Sequence, residues 1–597
     1  MNQYYSFDKG RRVWLPPTSY SFAYSDGEES ENYLLSVLRA AKDVSTTSSE
    51  MLNAIRDWPS EYHLSPGRHN LLRPFKFKAT DRILELGCGC GSITRYLGET
   101  GATVIAVEGS LRRAEIAAER CRDLPNVTVC CDNFADFRGA IKFDYVSLIG
   151  VLEYSPLFIS GDDPIITSLM TARSHLKEDG ALILAIENQL GLKYFNGCAE
   201  DHVGVPYFGI SGLYGKGDPT TLGRHKLTEK LKEAGFPKVE LFFPFPDYKL
   251  PGLILSEAAL MDERLKVADL LIHNTGRDYL GTRHRAFSES SAWRVVAENN
   301  LTADLANSFL IFARQDQSAR LPVDWLAKIY SRGRRNLCYQ VDTTISPAEN
   351  AELVVRKKKI YPDLVAGDQY FFHVVSDSVY LVGNLLVGKI HKAMAREADL
   401  DELASCFSPW LNFLLANVMR SDEGGSFLPS NFVDCIPGNL IEDSTGALHY
   451  FDAEWVNAKP IPLAWTIIRG VTYALIDCLE NRAIKYLTLR QLIVLIAQRA
   501  GVCLVDADFE VAHELEERLI SQCNVESSIK VEFSQLFDVG LFLTYRLAND
   551  IPELRRELEW SKAELVRIKG AFSWRITAPL RVIKNVGGKL VERFRDV

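Results

Sequence analysis

The stretch Arg82-Ile83-Leu84-Glu85-Leu86-Gly87-Cys88-Gly89-Cys90-Gly91-Ser92-Ile93-Thr94-Arg95-Tyr96-Leu97 sets the tightest limits on how this chain can fold. It begins as a short apolar run of strand character, turns through three alternating glycines and continues with helical spacing. Glycines at such a turn let backbone approach a ligand closely, and the turn aims a helix N-terminus at it. The spacing is E-x-G-x-G-x-G. A dinucleotide fingerprint, G-x-G-x-x-G, needs its third glycine where this chain has Ser92, so NAD is the poorer reading.

Three further stretches add to the turn. Residues 103–107 read as a second strand ending at Glu108, where a carboxylate can accept hydrogen bonds from both hydroxyls of a ribose. Residues 127–131 form a third, ending at Asp132-Asn133-Phe134, a polar and aromatic group suited to the edge and face of an adenine. Residues 143–153 read as a fourth strand running into a loop. Glycines after the first strand and acids after the second and third resemble class I S-adenosylmethionine (SAM) methyltransferases. The resemblance implies an α/β, Rossmann-like sheet with its ligand outside the carboxyl ends of the strands. It puts Glu85, Gly87, Gly89, Gly91, Glu108, Asp132, Asn133 and Phe134 around SAM. A purely structural glycine turn is the plainer alternative.

At 597 residues the chain exceeds what one core supports, so two or three domains are expected. Its net charge of −9 speaks against a general nucleic-acid binder, local basic patches aside. Twelve cysteines without C-x-x-C pairs fit reduced thiols in a cytoplasm better than a disulfide framework or zinc site. Cys88 and Cys90 read as small residues between glycines. The N-terminus has no charged-then-apolar signal pattern, and the apolar run 461–479 is broken by Arg469 and Asp477. A cytoplasmic protein with a soluble body is expected.

Residues 1–75 are polar and aromatic, with a helix expected over 31–42, and read as a segment that folds over the ligand as a lid. His63 is placed either at the carboxylate of SAM or in packing. Residues 76–316 form the sheet domain, with a helix over 165–176, a fifth strand over 181–186, a helix over 226–234 and a last strand over 309–313. The loop from Glu187 to His202 carries many polar and aromatic side chains, as a substrate-facing loop should. The blocks G-V-L-E-Y, I-E-N-Q-L-G-L-K-Y-F-N-G, E-D-H and P-F-P-D-Y-K-L-P resemble a bacterial methyltransferase subgroup encoded with polysaccharide glycosyltransferases. That subgroup includes the bifunctional methyltransferase–kinases that cap O-antigen chains. The resemblance implies methyl transfer to the terminal sugar of a surface polysaccharide or lipid-linked glycan, on a hydroxyl or a phosphate, with the pathway's glycosyltransferases as partners. A hydroxyl acceptor needs a base, for which His202 is the candidate and His225 the reserve. A phosphate needs none.

Residues 320–480 change character. Two strand-like pieces, 337–344 and 352–360, precede Asp434-Cys435-Ile436-Pro437-Gly438-Asn439 and then Tyr450-Phe451-Asp452-Ala453-Glu454-Trp455. The spacing D-x-x-x-x-N followed by a second aspartate resembles the protein-kinase catalytic loop. It implies an α+β kinase-like domain in which Asp434 positions an acceptor hydroxyl, Asn439 and Asp452 hold Mg on ATP, and Lys357 reaches the phosphates. Phe432-Val433 stands in place of His-Arg, Ala453-Glu454 in place of Phe-Gly, and Gly333 is the only glycine near the first strands. An inert domain that docks glycan or polymerase is therefore the competing reading. Residues 481–550 read as a helical extension. In 551–597, Leu554, Leu558, Leu565, Ile568 and Phe572 suit a short coiled coil able to oligomerise, followed by a basic, aromatic tail suited to peripheral contact with an anionic membrane.

Overall fold

The computed structural model describes residues 4–524, except 18–24, 26, 140, 280–285, 316–322, 332–334, 350–351, 368, 421–424, 477, 479–483 and 485–486, together with Phe537. The coiled coil and basic tail expected over 551–597, and most of the extension beyond 524, lie outside the described residues.

One long sheet organises the first half. Its strands are β1 (Ser6–Asp8), β2 (Val13–Leu15), β3 (Arg82–Leu86), β4 (Thr103–Glu108), β5 (Val127–Cys131), β6 (Phe143–Ile149), β7 (Leu176–Glu187), β8 (Lys238–Phe245), β9 (Leu253–Ser256), β10 (Ser308–Arg314), β11 (Ala327–Tyr330), β12 (Val341–Pro347) and β13 (Leu353–Lys359), with Ser378–Val379 at the far edge. The order is β1-β2-β5-β4-β3-β6-β7-β10-β8-β9-β11-β12-β13. Strands β5, β4, β3, β6 and β7 run parallel, and β10 lies antiparallel between β7 and β8. Alternate residues feed opposite faces, as a pleated strand requires. On β3, Leu84 and Leu86 enter one core with Val107, Leu148 and Leu182, while Ile83 enters another with Val104, Ile183 and Leu310.

The chain leaves β3 for β4 and β5 on one side, then crosses to β6 and β7 on the other. The crevice between β3 and β6 is thus the point where the strand order reverses, the place where open α/β sheets bind ligands. Helices Ser92–Glu99 and Leu111–Arg120 follow β3 and β4, and Pro164–His175 precedes β7. The helix expected over 31–42 is Glu28–Ala40; its Leu34, Leu35 and Leu38 pack with Leu64 and with Ile116 of the helix Leu111–Arg120. This contact holds the N-terminal segment over the carboxyl edge of the sheet.

The sheet continues past residues 316–322. Strand β11 pairs antiparallel with β9, and β12 and β13 extend the same sheet. The strand expected from 337 starts later, because Leu337–Tyr339 is a 3-10 turn and pairing begins at Val341. Beyond this stands a helical unit. Helices Leu386–Ala395, Leu400–Ala416, Leu463–Leu475, Leu489–Arg499 and Asp506–Cys523 enclose a core around Trp410, Trp465, Ile468 and Leu492. Among the described residues, no helix is long and apolar enough to cross a membrane.

Candidate functional site

The glycine bend is built so that side chains cannot occupy it. Gly87, Gly89 and Gly91 all have φ between 57° and 80°, a backbone region that L side chains enter only under strain. A Cβ on Gly87 would lie 2.5 Å from Val151 Cγ2, and one on Gly91 would lie 2.7 Å from the Ala117 backbone. The N–H groups of Gly87 and Cys88 donate to the Val107 carbonyl, at 2.8 and 3.0 Å, which ties the bend to the end of β4. Glu108 then turns back onto it. Its Oε2 accepts from Gly89 N at 2.8 Å and its Oε1 from Ser110 N at 3.0 Å. Two of about four acceptor positions on that carboxylate are therefore used, and the remainder can take ligand hydroxyls.

A cavity of about 290 Å³ opens here, close to the lower end of the range for small-molecule sites. Its walls include Glu85, Gly87, Gly89, Glu108, Asp132, Asn133 and Phe134, so seven of the residues named from sequence for the ligand come together, while Gly91 stands behind the wall against Ala117. Glu85 accepts from Thr94 Oγ1 at 2.6 Å, and burial pushes its carboxyl up to about 7. Asp132 Oδ2 accepts from Tyr5 OH at 2.7 Å, and burial raises this acid as well. Asn133 spends its side-chain oxygen on its own loop, accepting from Ala135 N at 3.1 Å. Phe134 is part of the core beneath β5 as well as of the cavity wall. Cys88 and Cys90 are buried, and burial drives the Cys88 thiol well above its ordinary value. From the N-terminal segment come Trp58, Tyr62, His63 and Arg68. Arg68 donates to the Tyr248 carbonyl at 2.9 Å and to Tyr62 OH at 3.0 Å, which ties that segment to the loop after β8.

The far wall holds a buried charge group. His202 Nε2 lies 3.3 Å from Glu187 Oε2, and its Nδ1 lies 3.0 Å from Tyr154 OH. Lys249 Nζ bonds Glu187 Oε1, and also Asp201 at 2.9 Å; Lys193 reaches the same Asp201 at 2.7 Å. Burial disfavours a charged imidazole, yet Glu187, by charge and hydrogen bond, raises His202 to about 9. Burial opposes the charge on Lys249 too, and Asp201 and Glu187 outweigh it, leaving the lysine well above its usual value. Beside them Glu153 has neither carboxylate oxygen on a donor of another described residue; burial, helped by Glu187, pushes it up to about 8.

Two expectations change as a result. The charge and hydrogen bond of Glu187 favour the imidazolium form of His202, which suits a hydrogen-bond donor better than the base expected of it. His225 is 82% exposed on the helix Arg224–Glu233, pairs with Glu229 one turn on, and stands away from the cavity wall. Glu153, Glu187, Asp201 and Lys249 were visible in the sequence blocks, but nothing local said that they would meet.

In the second half, Lys357 of β13 pairs with Asp452 and lies 2.9 Å from Glu454 Oε1. Burial works against the lysine's charge, and the two acids outweigh it. Burial and Glu454 push Asp452 up to about 6, on a backbone with φ of 60°. Burial would raise Glu454 too, but His373, Lys357 and Arg335 bring it down to about 2. The fold thus brings together Lys357 and Asp452, named from sequence, and adds Glu454. Asp434 differs from expectation. Its Oδ1 takes a 2.9 Å bond from Arg469, which also pairs with the fully buried Glu516, while the side chain keeps part of its surface exposed. Asn439 spends its amide N–H on the Asp434 carbonyl at 2.9 Å, so only its oxygen remains for a metal.

Residues 84–182 match the family model described as a methyltransferase domain. No curated protein matches the chain. Among solved structures it is similar to a phosphoethanolamine N-methyltransferase 2 of Haemonchus contortus in complex with phosphomonomethylethanolamine and S-adenosylhomocysteine, at 19% identity over 42% of this chain and 52% of that one, TM-score 0.26. Another structure of the Haemonchus enzyme, in complex with S-adenosyl-L-methionine, aligns at 18% identity over 51% and 62% of the two chains, TM-score 0.28. A SAM-dependent methyltransferase of Archaeoglobus fulgidus aligns at 17% over 42% and 93%, TM-score 0.26. The chain thus spans about half to three fifths of the length of the Haemonchus enzyme. With the family match, residues 84–182 carry a methyltransferase domain, set on a Rossmann-like sheet with a glycine bend after β3.

Proposed function

We propose that this chain methylates an oxygen of the terminal sugar, a hydroxyl or a phosphate on it, of a bacterial cell-surface polysaccharide such as O-antigen. The observation that carries the reading is one cavity running from the glycine bend to the charged wall of Asp201, His202 and Lys249. Gly87, Gly89 and Gly91 would admit the methionine part of SAM, Glu108 the ribose, and Asp132, Asn133 and Phe134 the adenine. SAM supplies an electrophilic methyl group on a sulfonium. The chain's own part is to hold an acceptor oxygen in line with it, and positioning accounts for much of such a rate. The imidazolium of His202 and the ammonium of Lys249 suit an anionic acceptor such as a terminal phosphate, which needs no base. The polysaccharide itself rests on the sequence blocks that resemble chain-capping methyltransferases.

A second reading concerns the C-terminal half. Lys357 beside Asp452, with Asn439 near Asp434, favours a nucleotide–Mg site that would make this a methyltransferase with a linked kinase activity. The competing account is an inert domain that docks glycosyltransferases at the inner face of the membrane through the tail, where the chain would act as a cytoplasmic, peripheral protein. Mass spectrometry of the surface polysaccharide from cells with and without this gene tests the main proposal. Loss of one methyl group at the chain end is expected, and an unchanged glycan would overturn it.

A further inference from the structure

The acceptor wall contains a feature that methyl transfer to a bound sugar does not by itself require. Glu153 has no exposed surface, and neither of its oxygens meets a donor of another described residue. A buried carboxyl left in this way is destabilising unless a proton or a cation neutralises it. One ligand atom each from Glu153, Glu187 and His202 lie within 4.8 Å of one another. Glu187 is already divided: Oε1 faces Lys249 and Oε2 faces His202.

We infer that Glu153, Glu187 Oε2 and His202 Nε2 form a binding site for a divalent cation whose open coordination positions face the methyl-transfer cavity. Two carboxylates and one imidazole suit Mn²⁺, Mg²⁺, Fe²⁺ or Zn²⁺, and three protein ligands leave room for a further oxygen. The second shell is in place. Tyr154 OH holds His202 Nδ1 at 3.0 Å, and its ring packs edge-on to the imidazole at 5.1 Å, so Nε2 is fixed toward the acids. Lys249 supports the other oxygen of Glu187. Such outer contacts orient metal-binding side chains. Binding displaces the proton from His202, as metal binding to histidine generally does. Glu153 and His202 both line the cavity, which places an acceptor hydroxyl or phosphate oxygen as the natural additional ligand. This inference deepens the proposed function and rests on it for the acceptor, but the cation site itself is tested separately.

The test is Mn²⁺ titrated into the chelator-treated full chain and followed by electron paramagnetic resonance, with SAM affinity measured calorimetrically on the same preparations. The wild type is expected to bind Mn²⁺, and Glu153→Gln and His202→Asn to weaken one site by about tenfold or more. Asp452→Asn, in the other half, is expected to leave that site unchanged. Retained SAM binding in Glu153→Gln would show that its loss of Mn²⁺ is not a loss of fold. A wild-type chain that binds SAM but no Mn²⁺, or a Glu153→Gln chain that binds it as the wild type does, overturns the cation site while the methyl-donor pocket stands. Wild-type chain that holds Mn²⁺ at this site but no SAM supports the cation site and overturns the donor reading instead.

Discussion

Glu108 accepts the backbone N–H of Gly89, nineteen residues earlier in the chain, at 2.8 Å. The end of the second central strand is thereby fastened to the bend that follows the first, and one carboxylate both shapes the cradle and faces the ligand. Removing it takes away charge-assisted hydrogen bonds of about 1.5–3 kcal/mol. Glu108→Ala is therefore expected to weaken SAM binding by at least about tenfold in calorimetry. Unchanged affinity would remove Glu108 from the site.

Gly91 has backbone atoms of Ala117 where a Cβ would go, while Gly446, with a similar φ of 85°, has nothing within 4 Å. The pair separates crowding from backbone strain. Gly446→Ala is expected to cost the strain alone, about 1–2 kcal/mol. Gly91→Ala adds overpacking of about 1–3 kcal/mol and shifts the helix Leu111–Arg120. Thermal melts of the two variants compare them, and equal losses would show that the cradle tolerates a methyl group.

Glu85 gives a pH dependence. Burial raises its carboxyl from 4.5 to about 7, so the folded ligand-free chain holds a proton that the unfolded chain releases earlier. A raised folded-state value contributes stability that is complete below pH ~4.5 and is lost as pH rises toward and through ~7. The difference is about 3 kcal/mol at most. Stability from denaturant melts is expected to fall between pH 5 and 8, with the raised Glu153, Asp452 and His202 adding to the slope, and Glu85→Gln to remove the Glu85 share of it. A Glu85→Gln chain with the wild-type slope would assign the effect elsewhere.

Arg469 joins the half-buried Asp434 to the fully buried Glu516. Arg469→Met leaves Glu516 without its main counter-charge, and breaking a buried pair from one side costs about 3–5 kcal/mol. Adding Glu516→Gln is expected to restore part of that loss. Chemical denaturation of both variants provides the check, and a single variant as stable as the wild type would mean that the pair contributes little.

Lys357 and Asp452 make the nucleotide reading testable. If the C-terminal half takes ATP with Mg, Lys357→Met and Asp452→Asn abolish binding of a fluorescent ATP analogue and leave SAM affinity within about twofold, as expected for separated sites. No binding by the wild type would leave the inert-domain account in its place.

The sequence by itself determined what depends on neighbours along the chain. The glycine bend, the acids at the ends of β4 and β5, the helix expected over 31–42 and helical character within 481–550 all follow from local spacing, and the structure has helices at Glu28–Ala40 and Asp506–Cys523. Strand ends on one sheet edge must converge, so Gly89, Glu108 and Asp132 were legible in the sequence as neighbours. Tertiary structure alone decided that Glu153, Glu187, His202 and Lys249 share one buried wall, since they come from three separate stretches, after β6, from Glu187 to His202 and after β8. It also set the direction of their pKa shifts, because desolvation and the charge of a neighbour depend on what surrounds a group in space, and Glu187 favours the charged form of His202. In the same way Arg469 engages one oxygen of Asp434, a partner that the D-x-x-x-x-N spacing did not announce: a motif specifies which atoms are available, and packing specifies what they meet.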